Sequence, residues 1–191
     1  MDNEVYSPSQ KKKDMKFVYK TIIATLLILG MSSSALFAQS NNNRSKGYRG
    51  SISITDHFGV WVGGETSHGY MFDAKNYLGG GVGAFIFPNG KQYPYFGTLF
   101  AEYRHYLKDK PSTFVFGAQA GVLHSFTYEK DYDVKFKNAP YLEPTIGWTW
   151  GLNNGLGLNL DLGAMILHPM GDARTDSKIL AMPKLSFGIE F

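Results

Sequence analysis

The chain has 191 residues, with 19 basic against 16 acidic side chains and no cysteine. With 15% aromatic and only 18% charged residues it is no disordered chain, and without thiols it is neither a disulfide scaffold nor a Cys-ligated zinc protein. A formal net charge of +3 is no nucleic-acid footprint, whereas 22 glycines stand well above the ~7% of ordinary chains.

Residues 1–38 read as a secretory signal peptide, with Met15 an alternative start. Lys11, Lys12, Lys13, Lys16 and Lys20 make a basic beginning, Thr21–Met31 is a mostly apolar run, and Ser32–Ser34 follow, then Ala35-Leu-Phe-Ala38 before Gln39. The run has 11 residues, short of the roughly 20 that a membrane-spanning helix needs. Without cysteine the leader is no lipoprotein signal. Residues 39–46 read as a flexible spacer and 47–191 as one domain.

That domain reads as eight strands. Tyr48–Thr55 and Phe58–Thr66 come first, then Leu78–Ile86 with Gly79, Gly81 and Gly83 on one face. Tyr95, Gly97, Leu99, Ala101 and Tyr103 lie opposite Thr98, Glu102 and Arg104. Phe114, Phe116, Ala118, Ala120 and Val122 alternate with Gly117, Gln119 and Gly121, and Leu142, Ile146, Trp148 and Trp150 with Glu143 and Thr145. The strongest signal is Gly155–Leu167, where Leu156, Leu158, Leu160 and Leu162 alternate with Gly157, Asn159, Asp161 and Gly163. The last strand sets Leu185, Phe187, Ile189 and Phe191 against Lys184, Ser186, Gly188 and Glu190. Successive strand side chains point to opposite faces, so each segment has one hydrocarbon face and one small or polar face. Turn residues separate them at Asp73–Asn76, Pro88–Gly90, Lys108–Pro111 and Asn153–Gly155, with longer charged loops at Glu129–Asn138 and Met170–Lys178.

Apolar-out, polar-in strands of this length are the mark of a transmembrane barrel. The fold expected is therefore all-β, an eight-stranded antiparallel up-and-down transmembrane β-barrel in the outer membrane. Its polar lumen would hold Glu102, Arg104, Gln119, Glu143, Asn159, Asp161, Lys184 and Glu190, closed rather than porous because eight strands leave room only for side chains. Its aromatic girdles would hold Tyr95, Tyr103, Tyr141, Trp148, Trp150 and Phe191. Partners expected are outer-membrane lipid and an extracellular partner through the loops.

Lys46–Gly50, Thr66–Phe72, Tyr77–Gly83, Phe100–Arg104, Ile146–Trp148 and Leu185–Phe191 resemble the small outer-membrane β-barrel proteins of Bacteroidetes-type bacteria. The resemblance spans residues 46–191 and implies a barrel but no activity. It also implies that Phe187, Ile189 and Phe191 resemble the C-terminal signal read by the barrel-assembly machinery.

No catalytic, cofactor or metal residue is expected. His57, His68, His105, His124 and His168 show neither the i, i+4 spacing of a helical zinc site nor i, i+2 spacing on a strand, and read as surface or interfacial residues. His68 reads as a turn-fixing hydrogen-bonding residue. Gly79–Gly83 lacks the following helix that a nucleotide loop needs. His124 and Ser125 would point to opposite faces. Two alternatives stay open: a lipid A-modifying hydrolase or acyltransferase using His124 or another rim residue, and a soluble barrel binding an apolar ligand, which would bury Leu156, Leu158 and Leu160 inside.

Overall fold

The structure is a computed structural model and describes residues 46–58, 60–87, 95–126, 137–152, 155–170 and 179–191. The signal peptide, nearly all of the spacer, Pro88–Gly90 and most of the two long charged loops lie outside these residues.

Eight strands follow one another: β1 (Gly47–Asp56), β2 (Val62–Met71), β3 (Asn76–Ile86), β4 (Tyr95–Tyr106), β5 (Thr113–Ser125), β6 (Asn138–Gly151), β7 (Gly157–Leu167) and β8 (Leu180–Glu190). Each pairs antiparallel with the next, and β8 returns to β1, closing the barrel. No helix occurs among the described residues. In this up-and-down order each strand pairs with its neighbour in sequence, and closure leaves no full-length edge exposed. One end of the barrel carries Gly47 and Phe191, and is called the terminal end below.

Alternation sets which residues face in. Leu160, Leu162, Ile166, Phe187 and Ile189 are exposed on the outside, while Asn159, Asp161, Ser186 and Glu190 are buried inside. The soluble-barrel alternative needs the reverse arrangement along β7.

The second strand differs from its expected span. His57, Phe58, Val60 and Trp61 belong to the turn instead, with the His57 N–H donating to the Trp61 carbonyl at 2.8 Å and the Val60 N–H to the His57 carbonyl at 3.2 Å. Phe58 takes a φ of 46°, an uncommon state for a bulky side chain. β2 then runs on to Met71, so His68 lies within a strand, paired with Gly50 and Gly80, and not at a turn.

The interior sorts by height. Trp61, Phe85, Phe96, Phe100, Leu123, Tyr141, Met165 and Leu167 fill the end opposite the termini. Met71, Tyr77, Tyr106 and Val115 cluster toward the terminal end. Glycines make room for these rings. A Cβ at Gly81 would press on the Phe100 ring and the Thr66 carbonyl, and one at Gly83 would lie 2.9 Å from Phe85. Tyr141 is therefore no girdle residue. It shares the parity of Glu143 on β6 and is buried within this cluster.

The ladders are unequal. β5 and β6 pair over 12 positions, from Thr113↔Thr149 to His124↔Asn138. β1 and β8 pair over 6, from Ser51↔Glu190 to Asp56↔Leu185. Residues 180–184 of β8 outrun β1 and pair with β7 alone.

The turn from β2 to β3 is fixed by Asp73. Its carboxylate accepts the Lys75 and Asn76 backbone N–H groups at 2.7 and 2.8 Å and the Asn76 side-chain amide at 2.7 Å. The Asn76 amide, then the Lys75 N–H, hold the Asp73 carboxyl below its usual value. A lowered native pKa contributes stability above the unfolded value of about 3.9 and loses it as pH falls through the native one. Asp73→Ala should thus lower the thermal midpoint at pH 7, and the gap to the parent should close as pH falls below about 4. A second expectation concerns volume. Gly81→Val should destabilise the barrel by about 1–3 kcal/mol in urea titrations, because Phe100 and the β2 backbone leave no room.

Candidate functional site

Inward positions of six strands bring the charged residues together. An eight-stranded barrel encloses little beyond its own side chains, so an inward charge must find partners rather than water. Five buried carboxylates, of Glu65, Glu102, Glu143, Asp161 and Glu190, share the interior with Arg104, Lys184 and His57. Arg49 borders them at the terminal end.

Two cations act as hubs. Arg104 on β4 donates through Nε to Glu102 at 2.8 Å and through Nη1 to Glu190 on β8, also at 2.8 Å. Tyr106 donates its hydroxyl to the same Glu190 oxygen at 3.0 Å, and Gln119 its amide to Glu102 at 3.4 Å. Arg49 lies 3.8 Å from the other Glu190 oxygen. The second hub, Lys184 on β8, donates to Glu65 on β2 at 2.9 Å and to Glu143 on β6. The far oxygen of Glu143 lies 3.4 Å from His57 Nε2. Thr55 links Glu65 at 3.3 Å and Ser186 at 3.1 Å. Asp161 accepts the Asn159 amide at 2.9 Å.

All eight residues expected in the lumen are buried there: Glu102, Arg104, Gln119, Glu143, Asn159, Asp161, Lys184 and Glu190. Sequence reasoning missed Glu65 and His57. Glu65 was hidden by ending the second strand one residue later, at Thr66; its parity with Ser67 and Met71 would have exposed it. His57 read as a surface residue in a turn, yet the turn folds it inward until it is fully buried, edge-on to Trp61 and Phe85. No local pattern marks that inward fold.

On the outer surface, Tyr95, Tyr103 and Trp150 are exposed, and Trp148 and Phe191 are half-buried. Tyr103 donates its hydroxyl to Asn76 at 2.7 Å. His124 faces outward against Asn138 Oδ1 at 2.8 Å, while Ser125 points into the barrel. The pair is split by strand parity and cannot act as base and nucleophile. His68 lies outward between Tyr48, whose hydroxyl is 2.5 Å from Nδ1, and Thr66, 3.1 Å from Nε2. Thr66 gives its one hydroxyl hydrogen to the Ser51 carbonyl at 3.1 Å. Nε2–H then donates to Thr66, and Nδ1 accepts from Tyr48. An imidazole so placed gives Thr66 a hydrogen rather than taking one.

Among the described residues no group of three His, Asp or Glu side chains is placed to hold a metal ion.

Breaking one hub should be costly. Lys184→Met strands two carboxylates, and should destabilise the barrel by about 3–5 kcal/mol in urea unfolding. The triple change Glu65→Gln, Glu143→Gln, Lys184→Met should recover most of that loss, since it removes the charges together.

No family model and no curated protein sequence matches the chain. Among solved structures it resembles neisserial surface protein A, at 9% identity with a TM-score of 0.54, over 76% of this chain and 94% of that one. It also resembles the N-terminal β-barrel domain of Pseudomonas aeruginosa OprF, at 11% identity with a TM-score of 0.47, over 78% and 99%. At these identities the likeness concerns the fold: this chain is a closed eight-stranded antiparallel β-barrel.

Proposed function

We propose that the protein is an integral outer-membrane barrel with a structural or surface-interaction role, a sealed polar lumen and no catalytic activity. The observation that carries this reading is the inversion of the two surfaces. Leu99, Leu142, Ile146, Leu162, Phe187 and Ile189 are exposed on the outside, while five carboxylates and their cations are buried. A water-soluble barrel with this exterior would present a continuous apolar belt, far beyond the patches that monomers in water tolerate. A hydrocarbon surround turns the same belt into a favourable contact, and a closed barrel satisfies every backbone group across it.

Aromatic side chains at the terminal end support the reading. Tyr48, Tyr70, Phe72, Tyr103 and Trp150 are exposed there, as interface residues are in membrane barrels. The likeness to a surface protein agrees with it, as does the resemblance of the C-terminal strand to a barrel-assembly signal on Phe187, Ile189 and Phe191. On this reading the terminal end faces the periplasm, the leader is cleaved, and the loops meet any extracellular partner. The same reading extends to kinship with the small outer-membrane barrels of Bacteroidetes-type bacteria, which the segments from Lys46 to Phe191 resemble. The lipid A-modifying reading finds little support: His124 is tied to Asn138 and parted from Ser125.

Fractionated cells should hold the mature chain in the outer membrane, and an unboiled sample should run faster on a detergent gel than a boiled one. A soluble chain without a mobility shift would overturn the proposal. His124→Ala should leave the lipid A acylation pattern unchanged by mass spectrometry; a changed pattern would revive the enzyme.

A further inference from the structure

We propose that Phe191 is a latch that holds shut the β1–β8 seam. This seam has the shortest ladder in the barrel, 6 pairs against 9 to 12 elsewhere. Every barrel closes by joining its first strand to its last, the contact most distant in sequence and most costly in chain entropy. The weakest ladder thus falls where closure is hardest.

Three features reinforce it at the terminal end. Gly50 and Phe191 exchange backbone hydrogen bonds, N–H to carbonyl, both at 2.9 Å. Their side-chain positions both face outward, in one row with His68 on β2, the cross-strand partner of Gly50. Because Gly50 has no side chain, the Phe191 ring lies over it and reaches His68, edge-on at 6.2 Å between centroids. A Cβ at Gly50 would come within 2.6 and 2.7 Å of two Phe191 ring carbons and 3.2 Å of His68 Nδ1. The ring therefore fills the place of a missing side chain, and spans β8, β1 and β2 at once. Tyr48 and Thr66 engage both nitrogens of His68, so the ring meets a fixed edge. Aromatic pairs of this geometry contribute beyond their buried area.

The alternation of antiparallel ladders says which amides report on the seam. Gly50 and Phe191 form a hydrogen-bonded pair, so Ile52↔Ile189 and Ile54↔Phe187 do too. Amide hydrogen exchange by NMR, on the full barrel in detergent micelles, reads local opening at these sites. Phe191→Ala should speed exchange at Ile52, Ile54, Phe187 and Ile189 by about tenfold, leaving β4–β5 amides such as Ala101 and Ala120 unchanged. Phe191→Trp should restore the parent rates. Gly50→Ala should mimic Phe191→Ala by expelling the ring, yet add little when combined with it. Equal acceleration in all strands would make Phe191 a general stability residue and sink the latch. Additive effects of the two substitutions would do the same, as would unchanged seam rates in Phe191→Ala.

Discussion

The narrowness of an eight-stranded barrel governs this molecule. Its interior is as wide as the side chains that fill it, so inward positions favour tiny or apolar residues, and an inward charge needs a partner of opposite sign. The two cationic hubs meet that demand in a particular way. Arg104 joins β4 to β8, walls that face each other in a barrel of this order. Lys184 reaches sideways to β2 and β6, which also face each other. The ladders hold each strand to its neighbours, and the hubs hold opposite walls at a fixed separation. A cross-section with such chords resists flattening, which ladders alone do not prevent.

The same narrowness explains the glycines. Phe100 and Phe85 need space that a full set of side chains would occupy, and Gly81 and Gly83 supply it. On the outside the relation is repeated at Gly50, where the ring comes from the far end of the chain. Glycine here acts through its lack of volume rather than its freedom of backbone, and the residue beside the gap is an aromatic each time.

Much of this was legible in the sequence, for a physical reason. A strand with one wet and one hydrocarbon face writes its period directly into its residues, as β7 and β8 do from Leu158 to Leu162 and from Lys184 to Glu190. Arg104, Glu143 and Lys184 could be placed inside from parity alone, and they are found there. Legibility failed where the period is diluted. β2 reads Val-Gly-Gly-Glu-Thr-Ser-His-Gly-Tyr-Met, with glycine on both faces, so neither its end nor the place of Glu65 and His68 could be seen. Residue type points Tyr141 to a girdle while the parity of its own strand points it inward, and it is buried inside. His57 was beyond reach, since a turn of positive φ at Phe58 sends it inward.

The stretch of β8 that outruns β1 bears on how these molecules behave in company. By ladder alternation, residues 181 and 183 turn their backbone polar groups toward the side that β1 has left. An extended edge of that kind is a template on which a second chain could add a strand. Position 183 is proline, so one of the donors needed for such a pairing does not exist. A second strand laid along this stretch would therefore lack one of its ladder hydrogen bonds, and the proline weakens the barrel's one overhanging edge as a template.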